Sequence, residues 1–417
     1  MQNQFPQHGL SAEEVLRQME AAREHDVDWR GGRINIYTHF AGDDVLDVAK
    51  DASRLFFSEN ALGQSAFPSL KKFESDVISW ALGLLNGGHE AMGSITSGGT
   101  ESIFMALKTA RDRARATRPG LGKPEIVVPY SAHPAFNKGA HFLDMRVKRI
   151  PLRDSYRADV DAMAKAIGPD TIMLVGSAPQ FPHGVFDPIE DLAALAKDKG
   201  LWLHVDACVG GFIAPFVRKL GQAIPPFDFS VEGVTSISAD LHKYGFTAKG
   251  ASTILFADKS MRPFQVFEFD EWSRGYYQSQ TFAGTRPGGP IAAAWAVLRY
   301  LGEDGYTQIA RQILAARDRL VEGIEGIDGL ELMCRPELTV MGFVPTKGLD
   351  IQAVAEAMGD RGWFVTRAAE PPSIHLGMLT MAHVPIVEDY LSDLRASVEE
   401  VRTGRVAARE AAVTYGG

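Results

Sequence analysis

The sequence predicts an α/β fold: a mostly parallel sheet flanked by helices, followed by a smaller C-terminal α+β domain. Three observations carry that prediction. Short apolar runs alternate with helical segments between about residues 65 and 300, the pattern of βαβ units. The texture changes after Pro287-Gly288-Gly289, where a helical stretch leads into closely spaced short strands. A composition of 45% hydrophobic and 23% charged residues is that of an ordinary globular chain. Its 417 residues exceed the roughly 250–300 that one core usually serves. The expected division is an N-terminal arm over 1–60, a large domain over 61–300 and a small domain over 301–417.

Within the arm, Ser11-Ala12-Glu13-Glu14 reads as a capping box opening a short helix, and Gly31-Gly32 stops the segment that follows. Helical periodicity then runs from Thr100 through Ile103, Leu107 and Ala110 to Arg115. Strands are expected at Glu125–Pro129, Met145–Pro151, Thr171–Val175, Leu201–Val205, Val234–Ser238 and Ser252–Phe256. In the C-terminal domain the strands are Leu330–Met333, Leu338–Val344, Trp363–Val365 and Ser373–Leu379, with helices near 349–358 and 386–402. Phe264, Phe267, Phe269 and Trp272 read as core rather than as the lining of a cleft. The last fifteen residues are charged and small, and are expected to fray.

Charge and cysteine content narrow the function classes. With 43 basic and 52 acidic side chains the net charge is −9, which disfavours nucleic acid and anionic membrane as partners. Two cysteines, Cys208 and Cys334, build no disulfide framework and suit a cytoplasmic protein. Met1 to Phe5 lacks the basic start of a signal peptide, and no run approaches the roughly 18 apolar residues of a membrane span. The best such run, Ile291 to Leu301, is broken by Arg299. No metal site is expected.

Four short stretches carry chemistry. Ser97-Gly98-Gly99-Thr100-Glu101-Ser102 opens a helix after an apolar run, so its free N–H groups and glycines suit a phosphate. Alone, it reads more readily as a plain turn capped by Thr100. His133 follows a strand, and Asp206 ends one, where ligands of open α/β sheets lie. Either residue alone is more often structural. Lys243, beside His242 and just past another strand, is a candidate Schiff-base nucleophile, although a lone loop lysine is usually just solvated. Taken in order, these four match what pyridoxal 5′-phosphate needs: phosphate anchoring, ring stacking, pairing of the ring nitrogen, and an amine for its aldehyde. Four such accidents in sequence are improbable.

The motifs resemble those of the fold-type I pyridoxal-phosphate enzymes of the group II decarboxylase superfamily. Within it they are most similar to the sphingosine-1-phosphate lyase family. The matching stretches are Thr96-Ser-Gly-Gly-Thr-Glu-Ser102, Ser131-Ala-His-Pro-Ala-Phe-Asn-Lys138, Pro179-Gln-Phe-Pro-His-Gly184, His204-Val-Asp-Ala-Cys-Val-Gly-Gly-Phe212, Ser236-Ile-Ser-Ala-Asp-Leu-His-Lys-Tyr-Gly245, Gly284-Thr-Arg-Pro-Gly-Gly289 and Pro371-Pro-Ser-Ile-His375. Amino-acid decarboxylases usually read Asp-Pro-His-Lys where this chain has Asp240-Leu-His-Lys243.

The resemblance implies a seven-stranded-type sheet, a homodimer with shared active sites, and a division of labour among residues. Lys243 would carry the cofactor, His133 stack on its ring, and Asp206 pair with its nitrogen. Gly98, Gly99, Thr100, His242 and Ser238 would hold the phosphate, with Thr285 reaching a neighbouring subunit's cofactor. Tyr37, Asn60 and Lys249 would meet the substrate, the first two from the partner chain, and the base is open among Tyr37, Lys243 and the substrate's own phosphate. The reaction implied is retro-aldol cleavage of a phosphorylated 2-amino-3-hydroxy, sphingoid-base-like substrate to an aldehyde and phosphoethanolamine.

One departure stands out: the lyases have a histidine three residues after this asparagine, and the chain has Gly63. That keeps amino-acid decarboxylation open as an alternative. Less favoured are a non-catalytic carrier of the cofactor, and an aminotransferase in which Arg286 would clamp a carboxylate.

Overall fold

The structure is a computed structural model that describes residues 5–408. Most of the stretch expected to fray, from residue 409 on, and residues 1–4 lie outside the described residues. Ser11 caps the helix Ala12–Ala22, accepting a hydrogen bond from the Glu14 amide as the capping box predicts.

Seven strands form the large sheet: β1 (Met92–Thr96), β2 (Glu125–Pro129), β3 (Arg146–Ile150), β4 (Thr171–Ser177), β5 (Trp202–Asp206), β6 (Val234–Ala239) and β7 (Ser252–Phe256). Their order is β1-β7-β6-β5-β4-β2-β3, and only β7 runs against the rest. Every residue of β2, β4, β5 and β7 is buried, because helices cover both faces. This is why those strands read as continuous apolar runs rather than as alternations.

Phe267–Phe269 (β8) and Tyr277–Ser279 (β9) pair as a small antiparallel hairpin. Its aromatics are not core, contrary to expectation: Phe267, Phe269 and Trp272 are about half exposed. Arg262-Pro263 and the acidic run Glu268–Glu271 keep this stretch at the surface.

The helix Gly288–Glu325 then leads out of the large sheet, broken at Gly302 (φ 55°, ψ −174°), a conformation open essentially only to glycine. Beyond it, β10 (Leu330–Leu332), β11 (Met341–Pro345), β12 (Thr366–Ala369) and β13 (Pro372–Leu376) form an antiparallel sheet in the order β10-β11-β13-β12. The expected strand Trp363–Val365 is displaced: pairing with β13 begins at Thr366, while Phe364 makes one parallel bridge to Ile34. Trp363 instead turns inward against Tyr390 and donates its indole N–H to Asp393.

The helices Ile351–Asp360 and Val387–Arg402 back this sheet, the first capped by Asp350. One apolar core runs from Leu174 and Val205 in the large sheet to Phe343 and Leu391 in the small one. Among the described residues, no helix is long and apolar enough to cross a membrane, and no group of side chains suits a metal ion. Both cysteines are free thiols.

Candidate active site

The carboxyl ends of β5 and β6 and the loop after β1 converge on a cavity of about 470 Å³. Its walls include Gly98, Gly99, Thr100, His133, Asp206, Asp240, His242 and Lys243. Ligand pockets commonly span roughly 300–1,000 Å³.

After β1 the chain turns through Ser97-Gly98 into the helix Gly99–Thr117, leaving the first amides of that helix at the cavity wall. The loop is held from below: Glu101 accepts from the Ser97 amide at 2.6 Å, and Thr96, Ser102 and Ser252 share a chain of hydroxyl bonds. A Cβ at Gly99 would lie 2.9 Å from both Asp240 carboxylate oxygens and from Cys208 Sγ, so no side chain fits there.

Asp206 ends β5 and is 8% exposed. Its Oδ1 accepts from the Cys208 amide at 3.1 Å and from Ser238 Oγ at 3.3 Å. Ser238 also meets His204 Nε2 at 3.2 Å, and His204 Nδ1 meets Ser236 Oγ at 2.7 Å, so a buried polar relay braces the carboxylate. This corrects the expectation that Ser238 holds a phosphate. Its hydroxyl is fully buried on the sheet and spent on Asp206 and His204.

Lys243 lies just past β6 with Nζ 2.9 Å from Asp240 Oδ2. Burial pushes the Lys243 pKa down, but the charges of Asp240 and Asp206 outweigh it, and the net shift is upward. Asp240 is 2% exposed, and its second oxygen has no hydrogen-bond partner. Sequence reasoning missed Asp240, because nothing local says that a residue just past a strand will be buried beneath the glycine loop.

His242 packs its ring near Gly98, and its Nδ1 accepts from the Ala251 amide. Burial, with the nearby Lys249 and Lys243 ammonium groups, holds it at about 4 against the opposing pull of Asp240. His133 Nδ1 accepts from the Ala135 amide at 3.1 Å, which fixes its ring. Burial lowers its pKa while Asp206 pulls the other way.

A second cavity of about 650 Å³ adjoins the first, and His133, Ser131 and Phe181 line both. Its walls add Tyr37, Tyr130, Phe364, Val365, Arg149 and Arg367, a mostly apolar lining with two cationic side chains. Tyr37, at φ 68°, faces Phe364 edge-on. Within the single chain, Tyr37 shares this wall with His133.

Lys249 is solvent-accessible and donates to the His242 carbonyl at 3.1 Å, with Nζ 3.2 Å from His39 Nδ1. Desolvation by the surrounding protein, with Lys243 adding, lowers its pKa to about 8.

Asn60 and Thr285 are on neither cavity wall. Asn60 accepts from the Leu62 and Gly63 amides and bridges to Pro287, so both residues sit on one loop cluster. Arg286 cannot serve as a carboxylate clamp: it is 6% exposed and bidentate to Glu74, with a further bond to the Ile95 carbonyl.

The residues present fit pyridoxal 5′-phosphate. Free helix-start amides beside a glycine with no room for a side chain suit a phosphate. A braced carboxylate suits a protonated ring nitrogen, a fixed imidazole stands by for stacking, and a primary amine faces the same cavity.

Comparison with known proteins agrees. Residues 35–345 match the pyridoxal-dependent decarboxylase conserved domain. The sphingosine-1-phosphate lyase of Arabidopsis thaliana is 42% identical over 411 residues, covering 95% of this chain and 74% of that protein. The solved structure of a Burkholderia pseudomallei sphingosine-1-phosphate lyase superposes with a TM-score of 0.92 at 36% identity, covering 97% of this chain and 94% of that one. A probable L-tyrosine/L-aspartate decarboxylase of Methanothermobacter thermautotrophicus is 36% identical over 348 residues, 83% of this chain and 92% of that protein.

Proposed function

Since the chain belongs to the pyridoxal-dependent decarboxylase family and, within it, to the sphingosine-1-phosphate lyases, we propose that it cleaves a phosphorylated 2-amino-3-hydroxy substrate with a long alkyl chain. The products are an aldehyde and phosphoethanolamine. The observation that carries this reading is the convergence of Lys243, Asp206, His133 and the Gly98–Thr100 loop on one cavity, with an apolar second cavity opening from it.

The chemistry that pyridoxal 5′-phosphate supplies when bound is a sink for the electron pair released as the C2–C3 bond breaks. The protein's own groups do the rest. Lys243 Nζ is the amine that carries the cofactor, and it holds and moves a proton beside Asp240. Asp206 keeps the ring nitrogen protonated, a task for which its bonds to Ser238 and the Cys208 amide fix its orientation. His133 flanks the ring, while Gly98, Gly99, Thr100 and His242 bind the phosphate. Lys249 grips the phosphate of the substrate, and Tyr37 stands on the wall where the C3 hydroxyl would be deprotonated. The alkyl chain follows Phe364, Val365 and Phe181 along the larger cavity.

Asn60 and Thr285 act in the site of a second copy, in a symmetric homodimer. The apolar side chains around them support this: Leu55, Phe57 and Phe282 are each more than 70% exposed in the single chain. Two free thiols suit a reducing compartment, and we place the enzyme in the cytoplasm.

The test is aldehyde release from a phosphorylated long-chain 2-amino-3-hydroxy base, with Lys243→Ala as control. Release by the native protein alone is the expected result. A yellow, cofactor-loaded protein that releases no aldehyde but frees carbon dioxide from an amino acid would replace this reading with decarboxylation, which Gly63 favours.

A further inference from the structure

His39 has no role in the assignments above, yet it is bonded to a residue that does. Its Nδ1 lies 3.2 Å from Lys249 Nζ, and its Nε2 lies 3.1 Å from Met378 Sδ. An ammonium only donates, so Nδ1 must be the unprotonated acceptor. Nε2 therefore carries the ring hydrogen and directs it to the thioether sulfur. The tautomer is set by these two neighbours, and Met378 itself lines the cavity that holds Lys243.

The ring is backed by something rigid. Tyr244 meets it edge-on at 5.7 Å and is fully buried, its hydroxyl tied to Thr339 and to the Leu379 carbonyl. The titratable groups around His39 are Lys249, Lys243, His242 and His383. Burial first, then those charges, hold its imidazole well below the ordinary histidine value.

Lys249 has three N–H donors. One goes to the His242 carbonyl and one to His39, which leaves one for a ligand. A flexible lysine is a poor phosphate clamp until its position is fixed, because ordering its side chain costs entropy. The two acceptors remove much of that freedom in advance.

Position 63, where the lyases place an imidazole, is glycine here, and a Cβ there would meet nothing closer than Ala66 at 3.8 Å. Neither space nor a positive φ demands the glycine. Among the described residues, the imidazole bonded to Lys249 is His39, two residues beyond Tyr37.

We propose that His39 is a positioning residue for the substrate's phosphate: it fixes the Lys249 ammonium with one N–H free to meet that anion. The proposal rests on the reading of Lys249 as the phosphate-gripping residue.

The test uses the cofactor-loaded enzyme with phosphoethanolamine as probe and ethanolamine as the unphosphorylated control, both titrated by calorimetry. Values of kcat and KM on the phosphorylated substrate are measured alongside. His39→Leu should weaken phosphoethanolamine about tenfold and raise KM by a similar factor, with kcat and ethanolamine affinity little changed. It should also move the alkaline limb of kcat/KM to lower pH, because a bond that favours charged Lys249 is gone; Lys243, His242 and Asp240 are the other charged or titratable groups around that ammonium. His39→Asn should restore most of the affinity, since its carbonyl oxygen can replace Nδ1.

If Lys249→Met weakens the probe and His39→Leu does not, the proposal is overturned while the reading of Lys249 stands. If Lys249→Met changes nothing, that reading falls and takes the proposal with it. A loss in His39→Asn as large as in Lys249→Met also overturns it, and this arm decides the matter should the leucine variant fail to fold.

Discussion

Asp206 ends a strand of the large sheet and Lys243 lies just past another, whereas Tyr37, His39 and Asn60 lie on stretches that belong to no helix or strand. The first pair inherits its position from a hydrogen-bonded lattice: β5 and β6 are paired on both sides, and Asp206 is further braced through Ser238 and His204. The second group is positioned by individual contacts, such as Phe364 against Tyr37 and Lys249 against His39. The difference teaches where change is tolerated. The residues proposed to handle the cofactor cannot move without disturbing the sheet, while a residue on the proposed substrate side can be exchanged, as Gly63 illustrates.

That contrast predicts a graded set of responses. Lys243→Ala should lower aldehyde release by roughly a thousandfold or more, with loss of the bound cofactor's visible absorbance; retained turnover would remove Lys243 from the centre of the site. Gly99→Ala forces a methyl against Asp240 and Cys208, and should cost about 1–3 kcal/mol of stability and weaken cofactor binding by about tenfold or more. Thermal unfolding and cofactor titration measure both, and unchanged values would break the claim of a close-packed cradle.

On the substrate side the effects are smaller. Lys249 has its pKa lowered to about 8, so it is charged below that pH and loses its grip on an anion above it. The kcat/KM for a phosphorylated substrate should therefore fall above about pH 8, while an unphosphorylated analogue shows no such limb. The smallest effect is expected of Gly63→His, whose thermal stability should stay within about 0.5 kcal/mol of the parent. A large destabilisation there would mean that the substrate-side segment is as constrained as the sheet.

The same contrast decides what could be read from the chain alone. Strands β2, β4, β5 and β7 were legible because full burial on both faces makes them largely apolar runs, and Asp206 and Lys243 because they lie at or just past the ends of strands. The shift of the last-but-one strand to Thr366 was not, since Trp363 is drawn inward by Tyr390 and Asp393, partners about thirty residues away. The exposed hairpin around Phe267 was misjudged because aromatic density does not tell a core from an uncovered surface. Asp240, His204 and His39 escaped because each acts through neighbours that only tertiary folding supplies. Arg286 carried a misleading signal: its position suggested a ligand clamp, and its real partner, Glu74, lies far back in the sequence.

Among the described residues, strand β1 pairs only with β7, about 160 residues further along, and the Gly98-Gly99 loop hangs directly from its end. On a ribosome adding about 5–20 residues per second, β1 waits roughly 8–30 seconds for its partner to emerge. Until then the Gly98-Gly99 turn has no sheet edge to anchor it. The proposed cofactor cradle is therefore among the last parts of the large sheet to be completed during synthesis, although its residues are among the first of that sheet to be made.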